Sequence, residues 1–291
     1  MKCNICTSGN IHKIYNGKIR SGSYGQLTNK DYQVFECNEC DTIFLDKFTD
    51  DDYYESEEYR KDYNDEACIN RFQNLQDELE NEKIFKIGLH NFRNKIVADF
   101  GTGGGSFLDG IVGFASKTIA IEPSQFFHKY LSQKHQVFSY GSELAKSNEK
   151  IDIATSFDVI EHVPNPISYL EDIFESLKID GELHIMTPNF DEILNDLIKD
   201  DFDTFNYRTA HLYYFKNNSM KYMLDKVGFK NITIEYHHKR DLSNLLFWLN
   251  DKKPTGDGKY NLFDEEFNIL YKRYLEKKAK ASHILIKAVK K

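Results

Sequence analysis

Val97-Ala98-Asp99-Phe100-Gly101-Thr102-Gly103-Gly104-Gly105-Ser106 is the stretch on which the fold of this chain turns. Apolar, mostly β-favouring residues lead into an acid and spaced glycines, the pattern of a buried strand that ends in a tight turn. Glycine has no Cβ, so it adopts positive φ freely and lets the backbone approach a bound small molecule. Phe107, Leu108 and Ile111 then recur with the spacing of one helix face. The unit is strand, glycine turn, helix.

A glycine turn alone fits several nucleotides, or none. Here Asp99 stands just ahead of the first glycine, and the spacing is G-x-G-x-G, not the G-x-G-x-x-G of dinucleotide folds. About twenty residues on, Thr118-Ile119-Ala120-Ile121 reads as a second strand ending at Glu122-Pro123, where an acid can accept both ribose hydroxyls of a nucleoside. An acidic turn suits S-adenosylmethionine, a cationic nucleoside without phosphates. The bland alternative is a structural turn in some α/β domain.

Strand-like segments continue at Gln136 to Tyr140, Ile153 to Phe157, Leu183 to Thr187, Ile232 to His237 and His283 to Ala288. Helical stretches intervene at about Ser106 to Gly113, Ser124 to Lys134, Pro166 to Lys178 and Ser219 to Lys226. This alternation predicts an α/β, mostly parallel, doubly wound sheet with helices on both faces, and a ligand site beyond the carboxyl ends of the strands. After the fourth of these strands, Ser156-Phe157-Asp158-Val159-Ile160-Glu161-His162 crowds two carboxylates and an imidazole together. Asp158, Glu161 and His162 can hold a divalent ion, or His162 can work alone at the reacting group; alternatively Glu161 is a helix-start or supporting carboxylate and His162 a hydrogen-bonded loop residue. Tyr207-Arg208-Thr209-Ala210-His211-Leu212-Tyr213-Tyr214-Phe215 brings a second histidine among aromatics, as a general base or a core residue.

Of five cysteines, four form two CxxC pairs, Cys3/Cys6 and Cys37/Cys40. Two such knuckles make a tetrahedral thiolate site for structural zinc, with a redox pair or a metal-free ribbon as alternatives. The short β-like runs Ile11 to Asn16 and Tyr32 to Glu36 lie between them, so residues 1–48 are expected to be a zinc-binding ribbon. Residues 49–94 follow as an acidic linker rich in tyrosine, with Tyr54 and Tyr59 placed to close over the cofactor. Its amphipathic helix shows Ile69, Phe72, Leu75, Leu79 and Ile84 on one stripe. Residues 95–291 form the main domain, with an insertion at about 241–280.

The 291 residues carry a net charge of −8, so no global basic field recruits nucleic acid. No stretch approaches the roughly 18 apolar residues of a membrane helix. A cytoplasmic protein with a small-molecule or saccharide acceptor is expected, and its oligomeric state is open.

With Asp99-Phe-Gly101-Thr-Gly103-Gly-Gly105, Glu122-Pro123, the Phe157-to-Val163 segment and Gly181-Glu-Leu through Thr187-Pro188-Asn189, the chain resembles class I S-adenosylmethionine-dependent methyltransferases. The resemblance implies a seven-stranded sheet with an antiparallel last strand at His283 to Ala288. It implies cofactor contacts from Asp99, Gly101, Thr102, Gly103, Gly105, Ser106, Glu122, Pro123, Ser156, Phe157, Asp158 and Tyr59. With its CxxC pairs the chain is similar to zinc-containing sugar methyltransferases, including those that methylate carbon on nucleotide-linked deoxysugars, which implies a nucleotide-linked or polysaccharide sugar as acceptor, His162, beside Glu161, at the active site, and His211 as the base. Ala210 stands where those enzymes have Glu and Arg208 where they have Tyr, which favours oxygen over carbon methylation. The Asp158, Glu161, His162 set also resembles the divalent-ion motif of ubiquinone-pathway O-methyltransferases. A non-catalytic ligand- or protein-binding module built on the ribbon is the reading from a different class.

Overall fold

The N-terminal β-branched and aromatic runs pair as an antiparallel ribbon of β1 (Ile11–Gly17), β2 (Tyr32–Cys37) and β3 (Ile43–Leu45). The structure, a computed structural model, describes residues 1–22, 24–47, 66–260 and 262–291, with backbone alone at 66–72. Tyr54 and Tyr59 therefore lie outside the described residues.

Past the linker, α1 (Glu66–Ile87) leads into β4 (Ile96–Phe100), α2 (Ser106–Ile111), β5 (Lys117–Ile121), α3 (Gln125–Leu131), β6 (Gln136–Phe138), α4 (Gly141–Lys146) and β7 (Ile151–Phe157). The chain goes on through α5 (Pro166–Ser176), β8 (Leu177–Pro188), α6 (Ile193–Leu197), α7 (Lys199–Asn206), β9 (Tyr213–Tyr214) and α8 (Asn217–Val227). It closes with β10 (Lys230–His237), α9 (Leu242–Asp251), α10 (Glu265–Lys277) and β11 (His283–Val289). Seven strands form one sheet in the order β10-β11-β8-β7-β4-β5-β6. Parallel pairing runs from β6 to β8, whereas β11 is antiparallel to both β8 and β10. The expected class I methyltransferase sheet, with its antiparallel closing strand, is present.

Alternation along β4 shows why helices cover both faces. Ala98 and Phe100 pack with Leu144, Leu170 and Ile173 on one side, and Val97 packs with Phe107, Leu108 and Phe127 on the other. Strand residues buried on both faces read as a nearly continuous apolar run, as Val97 to Phe100 does apart from Asp99. That one acid inside the run is left for function.

Two local expectations need correction. Leu75 and Leu79 of α1 are exposed, while Gln73, Lys83 and Ile84 are buried. Ile84 packs with Phe107 and Leu108 as expected, whereas Leu75 and Leu79 turn outward because this part of the helix lies over the glycine turn and a carboxylate cluster, which reward polar contacts; the side chains of Ile69 and Phe72 lie outside the described residues. The ribbon also does not stop at its own residues: β3 pairs antiparallel with β9, so its sheet runs β1-β2-β3-β9. Ile19, Val34, Ile43 and Leu45 share a core with Tyr207 and Tyr214. A module this small gains stability by borrowing partners from the larger domain.

Candidate active site

The first half of the site is the turn after β4. Backbone amides of Gly101 and Thr102 donate to the Ile121 carbonyl at 2.8 and 3.2 Å, tying the turn to the end of β5. Gly101 sits at φ 83°, and a Cβ there would meet Val159 Cγ2 at 2.4 Å; Gly105, at φ 88°, would press Leu131 Cδ2 at 2.7 Å. Only glycine lets the turn close against its neighbours. Glu122, buried at the end of β5, accepts from the Gly103 and Ser124 amides, each at 2.9 Å. Pro123 follows half-buried, so the expected acid stands beside the turn.

Asp99 is buried and accepts from Thr155 Oγ1 at 2.6 Å. Burial pushes its carboxyl up to about 7; Thr155 opposes the shift and the Glu80 charge adds to it. Thr102 also opposes the shift at Asp99, while Ser106 Oγ is buried with no hydrogen-bond partner among the described residues. A buried acid with a raised pKa beside an orphan hydroxyl fits a ligand with a cationic end and polar groups, since an unsatisfied buried group is costly without one. These residues suit S-adenosylmethionine.

Helix α1 closes this half from above. Gln73 Nε2 donates to the Gly104 carbonyl at 2.9 Å. The buried Lys83 ammonium lies 2.7 Å from Glu80, 3.8 Å from Asp158 and 4.8 Å from the Phe157 ring centroid. Neither contact was visible in the sequence, because an isolated glutamine and lysine on a helix read as solvated.

Beyond β7 the chain kinks at Asp158, which takes φ 57°. Ser156 Oγ bonds Tyr169 OH at 2.7 Å, and the Phe157 ring stacks edge-on against Phe107. Asp158 faces Lys239 at 3.1 Å and His283 at 3.4 Å. Burial raises its pKa, but Lys239, His283 and Lys83 outweigh burial and hold it well below the usual carboxylate range. The expected ion site of Asp158, Glu161 and His162 is therefore not assembled. Lys239, just after β10, and His283, at the start of β11, take the Asp158 charge instead.

Glu161 and His162, on the turn Ile160–His162, meet His211. Their ligand atoms all lie within 4.8 Å of one another. Glu161 Oε1 is 3.9 Å from His162 Nε2 and 4.0 Å from His211 Nε2, and it has no hydrogen-bond partner among the described residues. Oε2 accepts from Thr187 Oγ1 at 3.0 Å. Burial, reinforced by the Asp158 charge, pushes Glu161 up to about 8. Burial and the Arg208 guanidinium push His162 down to about 4 and His211 well below the usual histidine range. At neutral pH the cluster is two neutral imidazoles and a protonated acid.

The tautomers follow from the partners. His162 Nδ1 donates to the Ala210 carbonyl at 2.6 Å, leaving Nε2 with its lone pair. Arg208 donates to His211 Nε2, so that nitrogen is an acceptor as well. The segment is held by Leu212 N donating to the Glu161 carbonyl at 2.9 Å and Tyr213 OH donating to the Pro164 carbonyl at 3.0 Å. Pairing of β3 with β9 secures it from the ribbon side.

In the ribbon, Cys3 Sγ is 3.6 Å from Cys40 Sγ, and Cys6 Sγ is 3.4 Å from Cys37 Sγ. All four sulfurs lie within 4.8 Å of one another. Thiolates at about 2.3 Å from a tetrahedral zinc ion stand about 3.8 Å apart, so the donor set fits that metal.

Residues 70–234 match the family model described as a methyltransferase domain, more than half of the chain. The chain belongs to that family. Among solved structures this methyltransferase is similar to a SAM dependent methyltransferase from Archaeoglobus fulgidus, at 19% identity and a TM-score of 0.52, covering 74% of this chain and 94% of that one. It also matches magnesium protoporphyrin IX methyltransferase from Synechocystis with bound SAH, at 13% identity and a TM-score of 0.48, over 81% of this chain and all of that one, 100%. No curated protein matches it. The methyltransferase is an enzyme that uses S-adenosylmethionine, and among its described residues no helix is long and apolar enough to cross a membrane.

Proposed function

We propose that this methyltransferase methylates a saccharide hydroxyl, with His211 as the general base and His162 orienting the acceptor. The observation that carries the reading is the convergence of Glu161 Oε1, His162 Nε2 and His211 Nε2. A sugar hydroxyl has a pKa far above neutrality, so its oxygen attacks well only as the proton leaves; a positioned base contributes roughly 10²–10⁴-fold. Both imidazoles are neutral, the form such a base needs, and an acceptor hydroxyl would take the place of Arg208 at His211 Nε2.

S-adenosylmethionine supplies an electrophilic methyl on sulfur. On the protein side, Asp99 with Gly101, Thr102, Gly103, Gly105 and Ser106 would hold its methionine end, and Glu122 its ribose. His211 Nε2 accepts the hydroxyl proton. The Arg208 contact favours this reading over a divalent ion at Glu161, His162 and His211, because a guanidinium on His211 Nε2 repels a second cation. Cys3, Cys6, Cys37 and Cys40 would hold a structural zinc.

The test is methyl transfer from labelled S-adenosylmethionine to a panel of free hexoses, nucleotide-linked sugars, catechols and amines. Saccharide methyl ethers as products support the reading. Transfer only to amines or catechols overturns it.

A further inference from the structure

The insertion between β10 and β11 ends in a helix, α10, whose outward face is apolar. Phe263, Phe267, Leu270 and Tyr274 follow at steps of four, three and four residues, so they form one stripe that starts just ahead of the capping Asp264. Phe267, Leu270 and Tyr274 are 48%, 58% and 61% exposed, and Phe263 stacks on Phe267 with ring centroids 5.2 Å apart. The other side of the helix is the one this fold packs. Leu275 is buried, Asn268 Oδ1 accepts from the Leu242 amide at 3.1 Å, and the Tyr271 ring meets His238 edge-on at 5.3 Å. Apolar residues scattered on a surface are ordinary, whereas a helical stripe of aromatics around a leucine is a seam without its partner.

The charges beside the stripe fit one kind of partner. Glu266, Arg273 and Lys277 are seven and four residues apart and share one flank, with the acid toward the N-terminal end and the bases toward the C-terminal end. None of the three has an ion pair among the described residues, while neighbouring Glu276 lies 3.7 Å from Lys86 and Lys280 lies 2.7 Å from Asp196. A two-fold axis running across the stripe between Phe267 and Leu270 lays a second α10 antiparallel on the first. Phe267 of each copy then meets Leu270 of the other, and the acidic end of each charged flank meets the basic end of the other. An anionic membrane surface fits worse, because the chain carries a net charge of −8 and acids stand in the first turn of this helix.

We propose that this face of α10 is a homodimer interface, an antiparallel pair of α10 helices from two copies of the chain. The stripe supplies the affinity, and the charges set the orientation, since exposed ion pairs add little affinity by themselves. One helix pair is small beside a standard interface, so dissociation on the order of micromolar is expected. The pair also braces a helix that reaches α1, through Glu276 and Lys86.

The experiment is sedimentation velocity on the full chain across a concentration series spanning the micromolar range. The wild type should pass from monomer to dimer as concentration rises. Leu270→Asp, at the centre of the stripe, should weaken the dimer at least about tenfold. Glu266→Lys alone, and Arg273→Glu with Lys277→Glu in one chain, should each weaken it as well. An equimolar mixture of those two charge variants should recover the dimer, because each then faces the opposite sign. S-adenosylmethionine affinity should match the wild type in every variant, which shows that the exposed substitutions leave the fold intact. A wild type that stays monomeric throughout overturns the proposal, including one that binds phosphatidylglycerol vesicles instead. So do dimers that survive Leu270→Asp, and charge variants that dimerise as the wild type does or fail to complement each other.

Discussion

The imidazole of His211 meets that of His162 edge to face, with ring centroids 4.7 Å apart and planes at 77°. Two neutral rings so arranged bring the Nε2 atoms to 3.9 and 4.0 Å from Glu161 Oε1. The contact joins the turn after β7 to the segment before β9.

If His211 takes the acceptor proton, His211→Gln should lower kcat by roughly a hundredfold or more, as loss of a positioned base does. The cofactor dissociation constant should not move, since the turn after β4 is untouched. Single-turnover rates at saturating cofactor check this. Wild-type rates in the variant would remove His211 from the role.

Glu161 provides a test through pH and stability. Its folded pKa stands at about 8 against an ordinary 4.5, raised by burial. The native state therefore holds this proton where the unfolded chain has released it. The stabilising contribution is complete below about pH 4.5 and fades as pH rises through about 8. Glu161→Gln cannot ionise, so wild-type Tm relative to the variant should fall steadily over that window. Parallel melting curves from pH 5 to 8.5 would show that Glu161 is not buried as a neutral acid.

Asp99 should make cofactor binding depend on pH. Its free-protein pKa is raised to about 7 by burial, and a bound cation favours the ionised carboxylate. Affinity for S-adenosylmethionine should rise between pH 6 and 8, with up to about one proton released on binding below pH 7. Calorimetry in two buffers of different ionisation enthalpy measures the release. Asp99→Asn should flatten the profile, and an equally steep profile in the variant would point to another group.

Removal of metal should act on the acceptor half. β3 pairs with β9, two residues past His211, and the two sides share the core around Ile43 and Tyr214. Stripping the four-cysteine site with a chelator, or Cys37→Ser, should cost turnover at least about tenfold while cofactor binding persists, because a ribbon this small would depend on the proposed zinc to fold. Atomic absorption should find one zinc per chain before treatment. Full activity in metal-free protein would detach the ribbon from catalysis.

Much of the proposed cofactor half was legible from local pattern. An acid inside an apolar strand, glycines where φ is positive, and Glu122 at the end of the next strand are close in sequence, and strand and turn geometry alone brings them together. The acceptor half was legible only as candidates. His162 and His211 could be picked out as titratable groups in loops, but their shared neighbour Glu161 and the tautomers set by Ala210 and Arg208 depend on long-range contact. Lys239 and His283 illustrate the limit. They lie far along the chain from Asp158, and their claim on its charge, which undoes the expected ion site, appears only when β11 inserts beside β8.

By itself, then, the sequence determined the alternation of strand and helix, the glycine turn with its acid, and the paired cysteines, because short-range periodicity and backbone freedom are written into neighbouring residues. The tertiary structure decided which charges meet. It set Gln73 and Lys83 of α1 over the turn, sent Asp158 to Lys239, stitched the ribbon onto β9, and set Arg20 beside Arg208 next to the histidines. Electrostatic partners are chosen by distance in space after the sheet has formed, and no local pattern encodes that distance.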